Sequence, residues 1–250
     1  MTKVVMLLIG DIKYDGRVRK EIASLTSVGV KVELVVTDYG DEESDQDELG
    51  VKTHYIAAKK YATPVRNFIE NLVFNYKAFR LLRKTNPEFV HCHDLNTLLA
   101  GALYKKCSSG KLVYDAHELF PESYGGIREK VWGFIERNCV KSCDVIIMPE
   151  RNRAQYFKEK YAIETPIKIL ENFPREIDID NIEKGMLRKK FAIDDDKVIV
   201  LHTGAISPGR HVEELIDAIA LSSKDIVLVL LGISWGGYQE VLNEKIAKLD

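Results

Sequence analysis

Short apolar runs alternate along this chain with segments of helical spacing, and this alternation restricts the fold more than any other feature. The run from Lys3 to Ile9 is almost entirely apolar, which is typical of a strand buried on both faces. Arg17 to Val28 carries apolar residues at helical spacing, and Lys31 to Thr37 is the next apolar run. This order predicts a βαβ unit, the start of a doubly wound parallel sheet.

The same alternation predicts two domains. It continues through residue 173, and the polar stretch 174–196 predicts a linker, with a helix expected from about Ile179 to Phe191. A second βαβ unit begins at Lys197. We therefore predict an α/β protein with a Rossmann-like domain over 1–173 and the first part of a second Rossmann-like domain over 197–250. Two strands and two helices are too few to close such a domain, so we expect it to be incomplete in this chain.

Composition excludes some classes of function. A formal net charge of -2 gives no general nucleic-acid footprint. The first residues contain only a brief, β-branched apolar run without a small-residue cleavage pattern, which does not fit a signal peptide. No apolar run is long enough to cross a bilayer. We predict a cytoplasmic protein.

The stretch from Lys111 to Pro121 is the strongest candidate for a site. An apolar run of β-formers is followed at once by Asp115, His117 and Glu118. Polar residues at the end of an apolar strand are typical of the carboxyl edge of a parallel sheet, where open α/β folds bind ligands. We predict that His117 is the centre of a substrate site. The alternative is that His117 and Glu118 only cap the next helix.

Two further loops are predicted at the same edge. His93 and Asp94 follow a short apolar run, so their loop is expected to face the same crevice as His117. The loop before the first helix lacks the G-x-G-x-x-G spacing of a dinucleotide fingerprint. Gly16 would still allow close approach of a ligand, with Arg17 beside it at a helix N-terminus. The alternative is that Asp15 is an N-cap and Arg17 is solvated.

A metal site is not predicted. His91, Cys92, His93 and Asp94 are ligand types, but residues on a strand alternate between its faces, and we interpret this as incompatible with a chelate. We expect no metal and no cofactor.

The segment 59–84 predicts an amphipathic helix with basic residues at both ends. Its apolar positions favour packing on the sheet, which is the simpler interpretation. The alternative is that its basic, aromatic surface contacts anionic lipid. Its basic residues are Lys59, Lys60, Arg66, Lys77, Arg80, Arg83 and Lys84.

Several motifs, in order, give the chain a family resemblance. They read YDGRVRKEIASLTSVGVKVELV, HDLNTLLAG, KLVYDAHELFPE, ILENFP and LHTGAISPGRHVEELIDAI. In this order they resemble a bacterial family-4 retaining glycosyltransferase of the GT-B type. The resemblance implies two Rossmann-like domains, an acceptor on the N-terminal domain, and a nucleotide-sugar donor on the C-terminal one. It also implies a glycan or lipid-linked acceptor and no bound metal.

The resemblance assigns roles to individual residues. Gly16 falls in the loop that lies beside the donor phosphates and the acceptor, and His117 matches the histidine that points into the cleft near the reacting sugar. Asn172 matches the asparagine of the turn before the linker. Gly204 matches the glycine of the donor-domain loop, and Arg210 a basic residue that touches the donor diphosphate. Arg17, His93, Asp94 and Glu118 are expected to line the cleft beside them.

Two departures from the family pattern affect the expected activity. Ala205 and Ile206 follow Gly204 where the family often has a second basic residue, so Arg210 is expected to carry more of the charge. The family's paired glutamates of the donor domain are absent, because the chain ends at Asp250. We expect weak donor binding and poor turnover by this polypeptide.

Two other functions stay open. The chain is alternatively a non-catalytic or split-transferase subunit, whose open second sheet pairs with a partner chain. A nucleotide-dependent oxidoreductase would use the same wound sheets, but it needs a glycine fingerprint followed by an acidic residue about 20 positions on.

Overall fold

The structure is a computed structural model that describes residues 2–40, 49–59, 61, 63–174, 176, 179–234 and 236–249. The chain divides into two compact units, Met1–Pro174 and Arg175–Asp250. Each unit is built from alternating strands and helices, so the predicted α/β class is confirmed.

A seven-stranded parallel sheet forms the centre of the first unit within the described residues. The strand order is β3-β2-β1-β4-β5-β6-β7, so the order reverses between β1 and β4. Open α/β sheets bind ligands outside the carboxyl ends of the strands at such a reversal. The strands are β1 (Lys3–Leu8), β2 (Lys31–Asp38), β3 (Lys52–Ala57), β4 (Phe89–His93), β5 (Lys111–Asp115), β6 (Val145–Met148) and β7 (Ile167–Ile169).

Helices cover both faces of this sheet. One face packs against α1 (Gly16–Ser27), whose Val18 and Ile22 share a core with Met6 and Leu34. The other face packs against α2 (Pro64–Thr85), α3 (Leu95–Lys106), α4 (Gly126–Cys139) and α5 (Arg151–Tyr161), which share a larger core with β1, β4, β5 and β6. The central strands β1 and β2 are buried on both faces, which explains why their apolar runs lack polar alternation.

The second unit has a smaller parallel sheet. Its described strands are β8 (Val198–Thr203) and β9 (Ile226–Leu231), and its helices are α6 (Met186–Phe191), α7 (Val212–Ala220) and α8 (Tyr238–Ile246). Its core is separate and consists of Ile206, Val212, Ile216, Tyr238 and Leu242.

Some element boundaries differ from the predictions. The helix predicted over 59–84 begins at Pro64, so Lys59 lies outside it, and Lys60 lies outside the described residues. A possible helix over 179–191 is instead a 3-10 turn at Ile179–Asn181 followed by α6, because Gly185 adopts a left-handed φ of +79° between them. His93 is the last residue of β4 rather than a loop residue.

Among the helices in the described part of the chain, none is both long enough and apolar enough to cross a bilayer.

Candidate functional site

His117 lies just past the carboxyl end of β5, among acidic groups and a second histidine. Its Nε2 is 3.3 Å from the Oδ2 of Asp115 and 3.3 Å from the Nδ1 of His93. Its Nδ1 is 3.5 Å from the Oδ2 of Asp94. His117 therefore does more than cap the next helix, because its ring lies within a network drawn from β4 and β5.

Asp115 is the buried centre of this network. Arg17 donates to both of its carboxylate oxygens, from Nε to Oδ2 at 3.0 Å and from Nη2 to Oδ1 at 2.6 Å. The Nδ1 of His93 and the Nε2 of His91 lie 3.4 and 3.8 Å from Oδ2. A carboxylate with a bidentate guanidinium and three imidazoles around it is held in its charged form.

The arrangement of the two strand histidines corrects the sequence analysis. We predicted that alternation along β4 would separate these side chains. Instead, the rings of His91 and His93 stack on one face, with centroids 4.3 Å apart. The strand period is two, so only adjacent residues alternate, and it is Cys92 that points into the core on the opposite face.

Burial and neighbouring charges shift the pKa values of this network in different directions. Burial lowers the pKa of His93 to about 3, with further lowering from the charge of His91, so His93 is neutral. Burial opposes the charged form of His117, but its hydrogen bond with Asp115 and the charge of Asp94 raise its pKa above the ordinary value. Burial also acts on Asp115, but hydrogen bonds with His117, His91 and His93 hold its pKa well below the usual range.

Asp94 positions the loop that carries His117. Its carboxylate accepts a hydrogen bond from the backbone N–H of His117 at 3.1 Å, and its own N–H donates to the carbonyl of Asp115 at 2.9 Å. It has φ of +60° and ψ of +166°, a backbone conformation that costs a residue other than glycine on the order of 1–3 kcal/mol. Burial raises the pKa of Asp94 to about 6. The loops after β4 and β5 therefore fix one another.

A metal ion would have to compete with Arg17 at this site. Glu21, His91, His93 and Asp115 each place a ligand atom within 4.8 Å of the others. The Nε of Arg17 lies 3.1 Å from Glu21 and 3.0 Å from Asp115, so a guanidinium already lies against both carboxyl groups. A second cation so close to this guanidinium would be repelled. The absence of a bound metal stays a prediction, and the position of Arg17 favours it.

An open pocket of about 660 Å³ brings together residues that lie far apart in the sequence. Gly16 and Arg17 line it from the start of α1, His117 from the end of β5, and Asn172 from the turn after β7. A Cβ at Gly16 would meet nothing within 4 Å, so this glycine leaves the pocket open. The Asp15 side chain caps α1 by accepting a hydrogen bond from the N–H of Val18 at 2.9 Å, as the alternative interpretation of this loop predicted.

The guanidinium of Arg17 is occupied within the protein. Besides Asp115 and Glu21, it donates from Nη1 to the carbonyl of Leu170 at 3.1 Å, and Arg17 is buried. Arg17 therefore positions α1, β5 and the segment after β7, while its backbone borders the pocket. It is neither solvated nor free to grip a ligand.

Lys20 is a pocket residue that the sequence analysis missed. Its Nζ donates to the Oδ1 of Asn172 and to the carbonyl of Phe173, both at 2.6 Å. Asn172 is thereby tied to α1. The signal in the sequence was a cation one helical turn after Arg17 on the same helix face.

Glu118, a predicted cleft residue, does not line this pocket. It is exposed and is not among the described residues that line the pocket. His93 and Asp94 contact His117 from behind the pocket wall rather than lining it.

Gly204 and Arg210 lie in the second unit. Gly204 follows β8 with φ of +142°, and its N–H donates to the carbonyl of Leu231 at 3.0 Å. A Cβ at Gly232 would come 1.7 Å from the carbonyl oxygen of Gly204, so these two loops touch through their backbones. Arg210 is exposed two residues before α7.

Comparison with known proteins identifies the family. A sequence profile described as Glycosyltransferase Family 4 matches residues 17–173. The chain belongs to glycosyltransferase family 4. No functionally curated protein matches the sequence.

Solved structures of low sequence identity share the fold of this family-4 chain. Anabaena HepE in complex with UDP and glucose has a TM-score of 0.71 and 16% identity, over 100% of this chain and 66% of that one. Sucrose-phosphate synthase from Thermosynechococcus elongatus has a TM-score of 0.79 and 14% identity, over 100% and 68%. A putative UDP-N-acetylglucosamine 2-epimerase from Listeria monocytogenes has a TM-score of 0.63 and 12% identity, over 99% and 66%. The family-4 chain thus has a GT-B fold and spans about two-thirds of the length of these proteins.

Proposed function

We propose that this family-4 chain is a glycosyltransferase, or part of one, that transfers a sugar from a nucleoside diphosphate donor to a glycan or lipid-linked acceptor with retention of configuration. The single observation that supports this best is the pocket shared by Gly16, Lys20, His117 and Asn172. Family membership predicted three of these four residues from motifs far apart in the sequence. Structural neighbours that bind UDP or glucose make the same donor class the first candidate.

His117 has the chemistry for a ligand with hydroxyl groups or negative charge. Its raised pKa favours an imidazolium at the pocket wall, and it is partly exposed there. We assign it the catalytic role of presenting a positive charge to the reacting sugar. Asp94 and Asp115 position its ring, and His93 packs behind it, so the imidazolium is preorganised.

The second unit supplies the proposed donor contacts. Transfer breaks the bond between the anomeric carbon and a diphosphate oxygen and forms a bond from that carbon to an acceptor hydroxyl oxygen. The hydroxyl proton is released to the diphosphate or to solvent, and negative charge develops on the departing nucleoside diphosphate. Arg210 would stabilise that charge, because a guanidinium grips phosphate in a bidentate way. Gly204 would let the donor approach the backbone closely. Glu213 and Glu214 lie in the first turn of α7, and their negative charge makes that helix end a poor anion site by itself. Arg210 would therefore have to supply more of the positive charge that holds the diphosphate.

Ligand-dependent thermal stabilisation tests the donor class. UDP and UDP-glucose should raise the melting temperature of the chain, whereas a nicotinamide cofactor should not. Arg210→Ala should remove most of the shift. Lys224→Ala is the matched control, since Lys224 is also exposed in the second unit but lies at the start of β9. Stabilisation by the nicotinamide cofactor alone would favour the oxidoreductase instead.

Product analysis separates the remaining functions. A transferase releases UDP and forms a glycoside whose anomeric configuration, read by NMR, matches the donor. The structural likeness to an epimerase makes epimerisation at the sugar the second candidate, and it would change the donor without any acceptor. A split-transferase subunit would show neither reaction until a partner chain is added, and it would sediment as a complex with that partner.

We also propose that the chain associates peripherally with anionic lipid through the basic α2, as the segment 59–84 suggested. The described part of that segment gives this proposal a more specific form.

A further inference from the structure

Helix α2 exposes an apolar stripe along its first three turns. Val65, Ile69, Leu72, Val73 and Tyr76 are all exposed, and Val65 is 70% exposed. Their spacing of three and four residues places them on one side of the helix. The opposite side carries the buried Phe74, Ala78 and Leu82. Packing on the sheet, the simpler interpretation from the sequence, therefore accounts for only one of two apolar faces.

Helix α4 has the same arrangement. Ile127, Val131 and Phe134 follow helical spacing and are exposed, with Ile127 at 80% and Phe134 at 70%. Trp132 and Cys139 on the other side are buried in the core.

The two stripes belong to the same side of the first unit. Buried residues of α2 and α4 pack into one core on the same face of the sheet, so both helices turn their outer faces away from that sheet. The rings of Phe68 and Trp132 join the two helices, with centroids 5.3 Å apart and nearly perpendicular planes. We call the exposed apolar residues of α2 and α4 the α2–α4 surface.

Charge shows which partner fits the α2–α4 surface. Helix α2 carries five basic residues and one acidic residue, although the whole chain has a net charge of -2. Lys77, Arg80, Arg83 and Lys84 follow the apolar turns and are exposed. Within the described residues, none of these four has an ion-pair partner. An apolar stripe continued by basic residues matches a bilayer with anionic headgroups.

We propose that the α2–α4 surface docks on an anionic lipid bilayer. Ile127, Phe134 and Val65 enter the boundary between headgroups and acyl chains, and Arg80 and Arg83 contact the headgroups. This proposal goes beyond a basic helix that rests on lipid in two respects. It includes α4, and it assigns insertion to the apolar turns of both helices.

This docking also orients the candidate site. In a βαβ unit the helix begins near the carboxyl edge of the preceding strand, so the exposed first turns of α2 and α4 lie toward the edge that carries His117. The bilayer would therefore lie beside that edge. This consequence rests on the proposed function, because it places a lipid-linked acceptor within reach of the pocket.

A second copy of the chain fits the α2–α4 surface less well. In a symmetric dimer each copy presents the same patch to the other, so the five basic residues of one α2 would face those of its partner. Like charges at close range oppose such a contact. An anionic bilayer instead neutralises them.

Flotation of the full chain with lipid vesicles tests the docking. The chain should float with vesicles of phosphatidylglycerol and phosphatidylcholine and not with phosphatidylcholine alone, and 0.5 M salt should weaken the binding, since the Debye length then falls to a few ångströms, about 4 Å. Ile127→Asp and Phe134→Asp should each weaken binding at least about tenfold. The double variant Arg80→Glu with Arg83→Glu should also weaken binding, because each basic charge near the bilayer contributes about fivefold or more to the affinity.

Matched variants make the result specific. Val28→Asp is the apolar control, because Val28 is 75% exposed at the end of α1 on the other face of the sheet. Lys31→Glu with Lys52→Glu is the charge control, since both lysines are exposed at strand starts. Circular dichroism melting should show that every variant folds.

Three outcomes would overturn the docking. They are no flotation at any salt concentration, equal loss in test and control variants, or a concentration-dependent dimer that Phe134→Asp dissolves. UDP stabilisation measured on the same variants separates this proposal from the proposed function. A chain that floats with vesicles but is not stabilised by any nucleotide sugar would contradict the proposed function and leave the docking supported.

Discussion

Arg17 and Asp115 form a bidentate ion pair that joins the first turn of α1 to the end of β5, with N···O distances of 3.0 and 2.6 Å. A further bond from Arg17 to the carbonyl of Leu170 extends this connection to the segment after β7. The three elements that border the candidate pocket are therefore held by one guanidinium. The shape of the site depends on a residue whose three guanidinium nitrogens each donate a hydrogen bond within the protein.

Replacing Arg17 should destabilise the first unit strongly. Arg17→Met leaves Asp115 charged, buried and without its cation, and we expect a loss of about 3–5 kcal/mol in the free energy of unfolding. Denaturant titration followed by circular dichroism measures it. Arg151→Met, at an exposed site in α5, is the control. The double variant Arg17→Met with Asp115→Leu should recover part of the loss, and simple additivity would contradict a direct pair.

Glu21 should make stability fall as pH rises. Burial, with the charge of Asp115, raises the pKa of Glu21 from 4.5 to about 7. Between these values the folded state holds a proton that the unfolded state has lost, so the free energy of unfolding decreases with rising pH. Glu21→Gln should remove this slope and stabilise the protein at pH 8 by roughly 1–3 kcal/mol. Melting curves recorded from pH 4.5 to 8 measure this slope, and Glu164→Gln, at an exposed site, is the control. The prediction is contradicted if the stability of Glu21→Gln depends on pH in the same way as that of the wild type.

His117 should control turnover without controlling folding. In a form of the protein that spans the full length of its structural relatives, His117→Ala should lower the rate of UDP release from a UDP-sugar by at least about 100-fold, because a preorganised positive charge is lost. The rate of the unaltered chain should fall as pH rises through the raised pKa of His117, since the imidazolium then loses its charge. His54→Ala, in β3 beside Glu33, is the control. A similar loss in both variants would assign the effect to folding rather than to the site.

Gly232 should tolerate no side chain. Gly232→Ala would place a Cβ 1.7 Å from the carbonyl oxygen of Gly204, so the loops after β8 and β9 would separate. We expect loss of protection from hydrogen exchange in β8 and β9, together with weaker UDP binding. Gly133→Ala in α4 is the matched control, because a Cβ there also meets nothing within 4 Å and Gly133 lies outside the candidate pocket. Normal exchange in Gly232→Ala would show that this close approach is absent in solution.

Local patterns predicted the elements better than their ends. The helix predicted over Arg17 to Val28 forms as Gly16–Ser27, because its apolar spacing and Asp15 cap are both local signals. The helix predicted over 179–191 is wrong in its first part, because the left-handed Gly185 interrupts the helical pattern. The same local reasoning separated His91 from His93, although a period of two puts them on one face.

The sequence by itself determined the order of strands and helices, the edge at which His117 lies, and the family motifs that point to Gly16 and Asn172. These follow from periodicity and from short motifs, which act over a few residues. Only the tertiary structure decided that Arg17 is bound to Asp115, that Lys20 reaches Asn172, and that α4 exposes an apolar stripe beside that of α2. The two side-chain bonds join residues 98 and 152 positions apart, and the two helices meet through the rings of Phe68 and Trp132. No local pattern contains that information, because the partners meet only when the sheet is assembled.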